Sequence, residues 1–294
     1  MRVLIAIDGA KSREIPALAA KRPWPKSSSF CLLHIFVPVP FTAAPSIQKK
    51  RLESVEGNVE AAAKPLRKAG WDTTVEIHSG SPRRDVGKFA GYWGADLAMV
   101  GCNEMSDLTR MFLGSTAQSV LRHAPCSVEI VRGPVSEAER YRTTGMRILV
   151  ATDGSDGSLA AVRSIADRPW PPDSTVKVVS VPEFILMKDP NYLESHEVKD
   201  LGAAAIEEAR RSISVGLEVL AGSSLKVTSE VPEFEERPHR VILHEANAWK
   251  ADMIVVGSYG RSGFDRFVMG SVSETVALHA ACSVEVVRSI STPR

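Results

Sequence analysis

The feature that most constrains this chain of 294 residues is an internal repeat. The stretch WGADLAMVGCNEMSDLTRMFLGSTAQSVLRHAPCSVEIVR at 93–132 aligns without a gap on WKADMIVVGSYGRSGFDRFVMGSVSETVALHAACSVEVVR at 249–288, and 18 of the 40 positions are identical. The openings match too, MRVLIAIDG at 1–9 and MRILVATDG at 146–154. The offset is 145 at the openings and 156 at the later stretch, so the second copy is longer in its middle. One fold is written twice, which fixes the scale at two domains of ordinary size rather than one large one. The expected domains are 1–133 and 146–294, joined by a polar linker at 134–145.

Each copy alternates strand and helix patterns. Val3–Ile7 and Ile148–Thr152 are short apolar runs suited to buried strands. Helices over Ser12–Arg22 and Ser158–Arg168 are each stopped by a Pro-Trp-Pro segment. Second strands follow at Phe30–Ile35 and Thr175–Val181, then long helices at 47–69 and 192–220. Third strands fit Thr73–His78 and Leu225–Val231, and short helices fit Pro82–Trp93 and Pro238–Trp249. Fourth strands (Asp96–Val100, Asp252–Val256), last helices (Ser115–His123, Ser271–His279) and fifth strands (Ser127–Val131, Ser283–Val287) complete each copy. Five strands with four intervening helices predict an α/β, doubly wound parallel sheet in each half, with strand order 3-2-1-4-5.

Composition narrows the function classes. The 36 basic and 35 acidic residues nearly cancel, so bulk charge gives no argument for nucleic acid or membrane partners. The balance is uneven: residues 1–145 carry 20 basic and 14 acidic groups, a net of +6, and residues 146–294 carry 16 and 21, a net of −5. No apolar run approaches the length of a membrane span, and MRVLIAIDG lacks the pattern of a signal peptide. The four cysteines show no Cys-x-x-Cys or metal-ligand spacing and read as small hydrophobes of a cytoplasmic protein.

In sheets of this class ligands bind beyond the carboxyl ends of the strands, where the strand order reverses. Strand one ends at Asp8-Gly9 or Asp153-Gly154, and strand four ends at Gly101 or Gly257. In the second copy Gly257-Ser258-Tyr259-Gly260 is followed, nine residues on, by Gly270-Ser271 opening a helix. Glycines at 257 and 260 permit positive φ and close backbone approach. Gly270-Ser271 supplies a helix N-terminus suited to an anion, and Arg261 and Arg266 add charge. An ordinary glycine turn and helix cap would also produce such a pattern.

Gly-x-x-Gly-(nine residues)-Gly-Ser, after a buried strand and before a helix and a Val-x-Val-type strand, resembles the universal stress protein family. The opening ILVATDGS also looks like that family's first strand, and the resemblance covers both halves. It implies five parallel strands per domain and, in the branch that binds ATP, an adenine nucleotide in the crevice. By matching position Asp153 would meet ribose or adenine, Val181 would lie near adenine, and Gly257, Gly260, Gly270, Ser271 and Ser273 would hold ribose and phosphates. Thr152, Val256, Ser258, Arg261 and Val272 complete that expected site. The ligand so implied is ATP, or AMP or ADP, with or without Mg²⁺, held as a regulatory ligand. The resemblance also suggests that the two terminal strands pair, so that one chain mimics a dimer, and that two chains associate as a homodimer.

The first copy departs from this pattern. Its residues are Asp8, Gly101, Glu104, Gly114 and Ser115, so Glu104 stands where the second copy has Gly260, and Met105 replaces Arg261. A side chain and a negative charge at a phosphate site disfavour binding, so the second half is expected to bind nucleotide and the first to bind weakly or not at all. His123 and His279, one period apart, fit helix C-termini better than catalysis. No Gly-x-x-x-x-Gly-Lys-Ser/Thr is present, and DGSDGS at 153–158 suits a turn and helix cap better than a calcium loop. Two other readings remain at this point. A slow ATP hydrolase or phosphotransferase would need a metal-binding carboxylate and a group to position water, and Asp153 is the only strand-end carboxylate at the proposed site. The other is an interaction protein that binds no nucleotide.

Overall fold

A computed structural model describes residues 1–7, 12–38, 45–102, 113–132, 145–182, 196–232, 236–260 and 269–289. The chain divides into two compact units, one of Met1–Thr144 with Pro169–Pro172, the other of Gly145–Arg168 with Asp173–Arg294.

The first unit contains β1 (Arg2–Ala6), a 3₁₀ turn at Ser12–Glu14, α1 (Ile15–Lys21), β2 (Ser29–Phe36) and α2 (Pro45–Lys68). It continues through β3 (Asp72–Ser79), α3 (Pro82–Trp93), β4 (Leu97–Gly101), α4 (Ser115–His123) and β5 (Ser127–Val131). The second contains β6 (Arg147–Ala151), α5 (Asp156–Ala166), β7 (Thr175–Val179), α6 (His196–Leu220) and β8 (Lys226–Glu230). α7 (Pro238–Ala248), β9 (Met253–Gly257), α8 (Ser271–His279) and β10 (Ser283–Val287) follow.

Strand order in the first unit is β3-β2-β1-β4-β5, and in the second β8-β7-β6-β9-β10. Within each unit neighbouring strands run parallel. The expected order is therefore present twice. The registers agree as well: Arg2 faces Ser29 as Arg147 faces Thr175, and Val3 faces Leu97 as Ile148 faces Met253.

The continuous apolar runs fold this way because both faces of a parallel sheet are covered by helices. Val3, Leu4 and Ile5 are fully buried, as are Ile148, Leu149 and Val150, and Met253, Ile254 and Val255. Ile15, Leu18 and Ala19 from α1 and Val59, Ala63 and Leu66 from α2 close one side of the first core. Helix ends follow local chemistry. α3 and α7 each begin with proline, and α3 stops at Gly94 in the left-handed region with φ 68°. Lys250 takes the corresponding place in the second unit with φ 55°.

Candidate functional site

At the carboxyl ends of β6, β7 and β9 the second unit encloses a cavity of about 310 Å³. Strand β6 lies between the other two, so the reversal of strand order falls where the sequence pattern predicts. The chain leaving β6 is fastened by a knot of small polar groups. Asp153 Oδ1 accepts hydrogen bonds from the Ser155 N–H at 3.0 Å and the Ser155 hydroxyl at 2.5 Å. Ser155 caps α5, accepting from the Ser158 N–H at 3.3 Å, and the Ser158 hydroxyl donates to the Ser155 carbonyl at 3.0 Å. Thr152 Oγ1 lies 3.1 Å from Ser158 Oγ and accepts from the Gly154 N–H at 3.2 Å. The DGSDGS segment thus turns and caps, with Gly154 at φ 78°.

The glycines act differently from the expectation of positive φ: neither Gly257 nor Gly260 adopts it. Their role is close approach within the protein. A Cβ on Gly257 would lie 2.4 Å from the carbonyl carbon and oxygen of Gly157. A Cβ on Gly157 would lie 2.3 Å from the Tyr259 carbonyl oxygen. The start of α5 and the end of β9 therefore meet backbone to backbone. A Cβ on Gly260 would lie 2.7 Å from Asp153 Oδ2. The Asp153 carboxylate, already tied to Ser155, fills the space that a side chain at 260 would need.

Gly270 is extended (φ −67°, ψ 143°) and precedes α8 with no side-chain cap. The first N–H groups of a helix have no partner within it, so this end is suited to an anion. The Gly270 N–H donates to the Ser258 carbonyl at 2.8 Å, and the Ser273 hydroxyl donates to the Gly257 carbonyl at 2.5 Å. These bonds fix α8 against the end of β9.

Of the residues expected in the second half, Thr152, Asp153, Val181, Val256, Gly257, Gly260, Gly270, Ser271, Val272 and Ser273 line the cavity. Ser258 is buried, is not among the lining residues, and donates its N–H to the Val287 carbonyl at 2.9 Å. Arg261 and Arg266 lie outside the described residues. Sequence reasoning missed a second wall. Ala205, Glu208 and Ala209 of α6, Pro238 and Ile242 of α7, and Val179, Ser180 and Pro182 at the end of β7 also line the cavity. The signal for the helices was their apolar spacing, but no motif marks which turn reaches the strand ends.

The first unit has the same crevice at about 20 Å³. Its described lining residues all have lining counterparts in the second unit. Some of the substitutions reduce space or polarity, while Val86 for Ile242 and Thr116 for Val272 run the other way. Leu33 and Ile35 stand for Val179 and Val181, each adding a methylene, Ile7 stands for Thr152, and Ala117 for Ser273. Counting back from β3 and β8 places Val55 opposite Ala209, and Val55 packs on the first core. Gly101 and Ala117 lie at the crevice, while Gly114 precedes α4 without a side-chain cap and Ser115 begins that helix. Asp8 and Glu104 lie outside the described residues.

Other paired features are structural. His123 Nδ1 donates to the Ser119 carbonyl and His279 Nδ1 to the Thr275 carbonyl, both at 2.9 Å, in the last turns of α4 and α8. A repeated ion pair has no local sequence signal: Arg22 meets Glu129 at 2.8 Å and Arg168 meets Glu285 at 2.9 Å, both nearly sealed from solvent. Under the cavity wall, Lys177 of β7 donates to Glu245 of α7 at 2.8 Å and also pairs with Glu230. Burial would lower the Lys177 pKa, but the two carboxylates overcome it and leave it raised. Among the described residues no cluster of three or more His, Cys, Asp or Glu side chains is arranged to hold a metal ion. No described helix is long and apolar enough to cross a membrane.

Residues 1–132 and 146–288 each match the model of the universal stress protein family, and the chain belongs to that family. It is 27% identical to a universal stress protein of Mycolicibacterium smegmatis over 301 aligned positions, covering 97% of this chain and 96% of the relative. Among solved structures, a universal stress protein from Archaeoglobus fulgidus superposes with a TM-score of 0.66 at 18% identity, covering 98% of this chain and 96% of that one. A second, from Pseudomonas aeruginosa, gives 0.62 at 19% identity, with 97% and 92% covered. At such identities the superpositions bear on the fold alone.

Proposed function

We propose that the second half binds one adenine nucleotide, ATP or AMP, as a regulatory ligand in a cytoplasmic stress-response protein. The observation that supports this most is the polarity of the cavity along the strand order. Its β7 side is mostly apolar, with Val179, Val181, Pro182 and Ile242, interrupted by Ser180 and Glu208. Asp153 stands at its middle strand, and the uncapped end of α8 with Gly257 and Gly260 stands at its β9 side. A ligand with a flat apolar head, a hydroxylated centre and an anionic tail matches that sequence of surfaces. Asp153 accepts hydrogen bonds from ribose hydroxyls, and the α8 amides receive phosphate oxygens. Mg²⁺, where it accompanies the nucleotide, would balance phosphate charge at that end.

The first half keeps the fold but not the room, so the proposal assigns it no nucleotide. Self-association of chains belongs to the same reading, and light scattering with and without ATP measures it. The central test is mass spectrometry of adenine nucleotide carried through purification by the wild-type chain and by Gly260→Glu, which copies Glu104. Wild-type protein should carry nucleotide and the variant should not. Equal loading of the two, or none on either, would refute the site.

A further inference from the structure

We infer that Ser180 is a ligand-binding residue of the second-half cavity, its hydroxyl hydrogen-bonding the edge of the base, an inference that rests on the nucleotide reading above. Ser180 lines the cavity just past the end of β7 and is only 2% exposed. Its N–H donates to the Glu230 carbonyl at 3.3 Å, but its hydroxyl has no hydrogen-bond partner among the described residues. A buried hydroxyl in that state has given up water and gained nothing from the protein in return. A ligand in the cavity supplies the missing partner.

The alternation of β7 gives the direction of the side chain. Lys177 reaches Glu245 of α7 on one face of the sheet. Val178 packs against α6 on the other, 3.5 Å from where a Cβ on Gly216 would lie. Ser180 follows Val178 by two residues and so faces α6. About two turns before Gly216, Ala209 lines the cavity, and Ala205 lines it a further turn back. Both are small, so the helix leaves room opposite the hydroxyl. The first half shows the same place satisfied by the protein itself. Register equates Ser180 with His34, since Ala151 faces Val179 as Ala6 faces Leu33. His34 Nδ1 donates to the Ile7 carbonyl at 2.6 Å, whereas Ser180 makes no such bond to Thr152, the counterpart of Ile7. The imidazole is thus engaged in the half whose crevice is about 20 Å³, and the shorter serine stands unpartnered in the half whose cavity is about 310 Å³. Val179, Val181 and Pro182 flank Ser180 on the side where the proposed base sits. A hydroxyl donates and accepts, so it matches either a ring nitrogen or an exocyclic amine.

Calorimetric titration of the full chain with ATP and dATP, together with thermal unfolding without ligand, tests this. Ser180→Ala should weaken both nucleotides by about tenfold, because a polar group of the base then loses its partner. The ligand-free transition of Ser180→Ala should match wild type, since no bond within the protein is removed. Ser180→His, which copies the first half, should abolish binding. Affinity of Ser180→Ala within about twofold of wild type overturns the inference while leaving nucleotide binding intact. A loss confined to ATP would put the hydroxyl on the ribose, and a lowered ligand-free transition would make it structural; either result also overturns the inference. Absence of binding by wild type would overturn the nucleotide reading and this inference together.

Discussion

Gly257 and Gly101 occupy the same position in the two halves, yet alanine at each should have opposite effects. At Gly257 the new Cβ would overlap the Gly157 carbonyl group at 2.4 Å and approach the Ser158 nitrogen at 2.8 Å. Carbon atoms in good contact sit about 3.5–4.0 Å apart, so roughly an ångström of movement is required. The overlapped atoms are backbone at the capped start of α5, held by the Ser155–Ser158 bonds. Neither a rotamer change nor a side-chain shift relieves them. Overpacking of this kind costs about 3 kcal/mol. At Gly101 the nearest atoms are Ile15 Cδ1 at 3.4 Å and Ser12 Cα at 3.9 Å, which is ordinary contact. There alanine restricts the unfolded chain and stabilises by about 0.5 kcal/mol. The difference of about 3.5 kcal/mol corresponds to a few hundredfold in an opening equilibrium. Hydrogen exchange read by mass spectrometry resolves the two halves in one experiment. Gly257→Ala should speed exchange in β6 and β9 by over a hundredfold and leave β1 and β4 unchanged. Gly101→Ala should leave all four strands as slow as wild type or slower. Equal effects of the two substitutions, within about threefold, would refute the backbone-contact argument.

Breaking one repeated ion pair by Glu285→Gln should destabilise the second half by about 3 kcal/mol, because Arg168 stays buried without its charged partner; denaturant unfolding measures the loss. Lys250→Gly should stabilise by about 0.5–1 kcal/mol by removing a side chain from the left-handed region, seen as a rise in melting temperature. Lys177 has its pKa raised on folding, so its contribution is complete below the ordinary lysine range and disappears as pH rises through the folded value. Wild type should therefore lose stability above about pH 10.5 more steeply than Lys177→Met, and parallel profiles would contradict this. In the first half the bond from Arg84 and the Ser81 N–H lower the Asp85 carboxyl to about 2, so its contribution is present at neutral pH and fades as pH falls from about 4 toward 2. Asp85→Asn should flatten that part of the acid unfolding curve.

Much of this was legible because the chain repeats. The buried runs at Val3–Ile5 and Ile148–Val150 can only be two-sided strands, and the alternation with helices then fixes the parallel order. The site was legible where chemistry is local: Asp153 ends a strand, Ser155 caps a helix, and Gly270-Ser271 opens one. The reason for the glycines was not. Gly257 is required by Gly157, a residue one hundred positions away, and Gly260 by the Asp153 carboxylate, so the constraint exists only in the fold. The wall from α6 was hidden for a related cause. Helical spacing marks Ala205 and Ala209 as candidates for burial, but which turn reaches the strand ends depends on how α6 packs, with Ser212 close against Gly154. The contrast between halves proved broader than Glu104, since Ile7, Leu33, Ile35 and Ala117 also reduce space or polarity at the first crevice. Those changes read as ordinary core variation until the two linings are compared position by position.

If, as proposed, only the second half holds nucleotide, the stoichiometry of ATP binding to the full chain measures it directly. Calorimetric titration should give one site per chain, abolished by Gly260→Glu. Two equivalent sites per chain, or one site that survives Gly260→Glu, would contradict it.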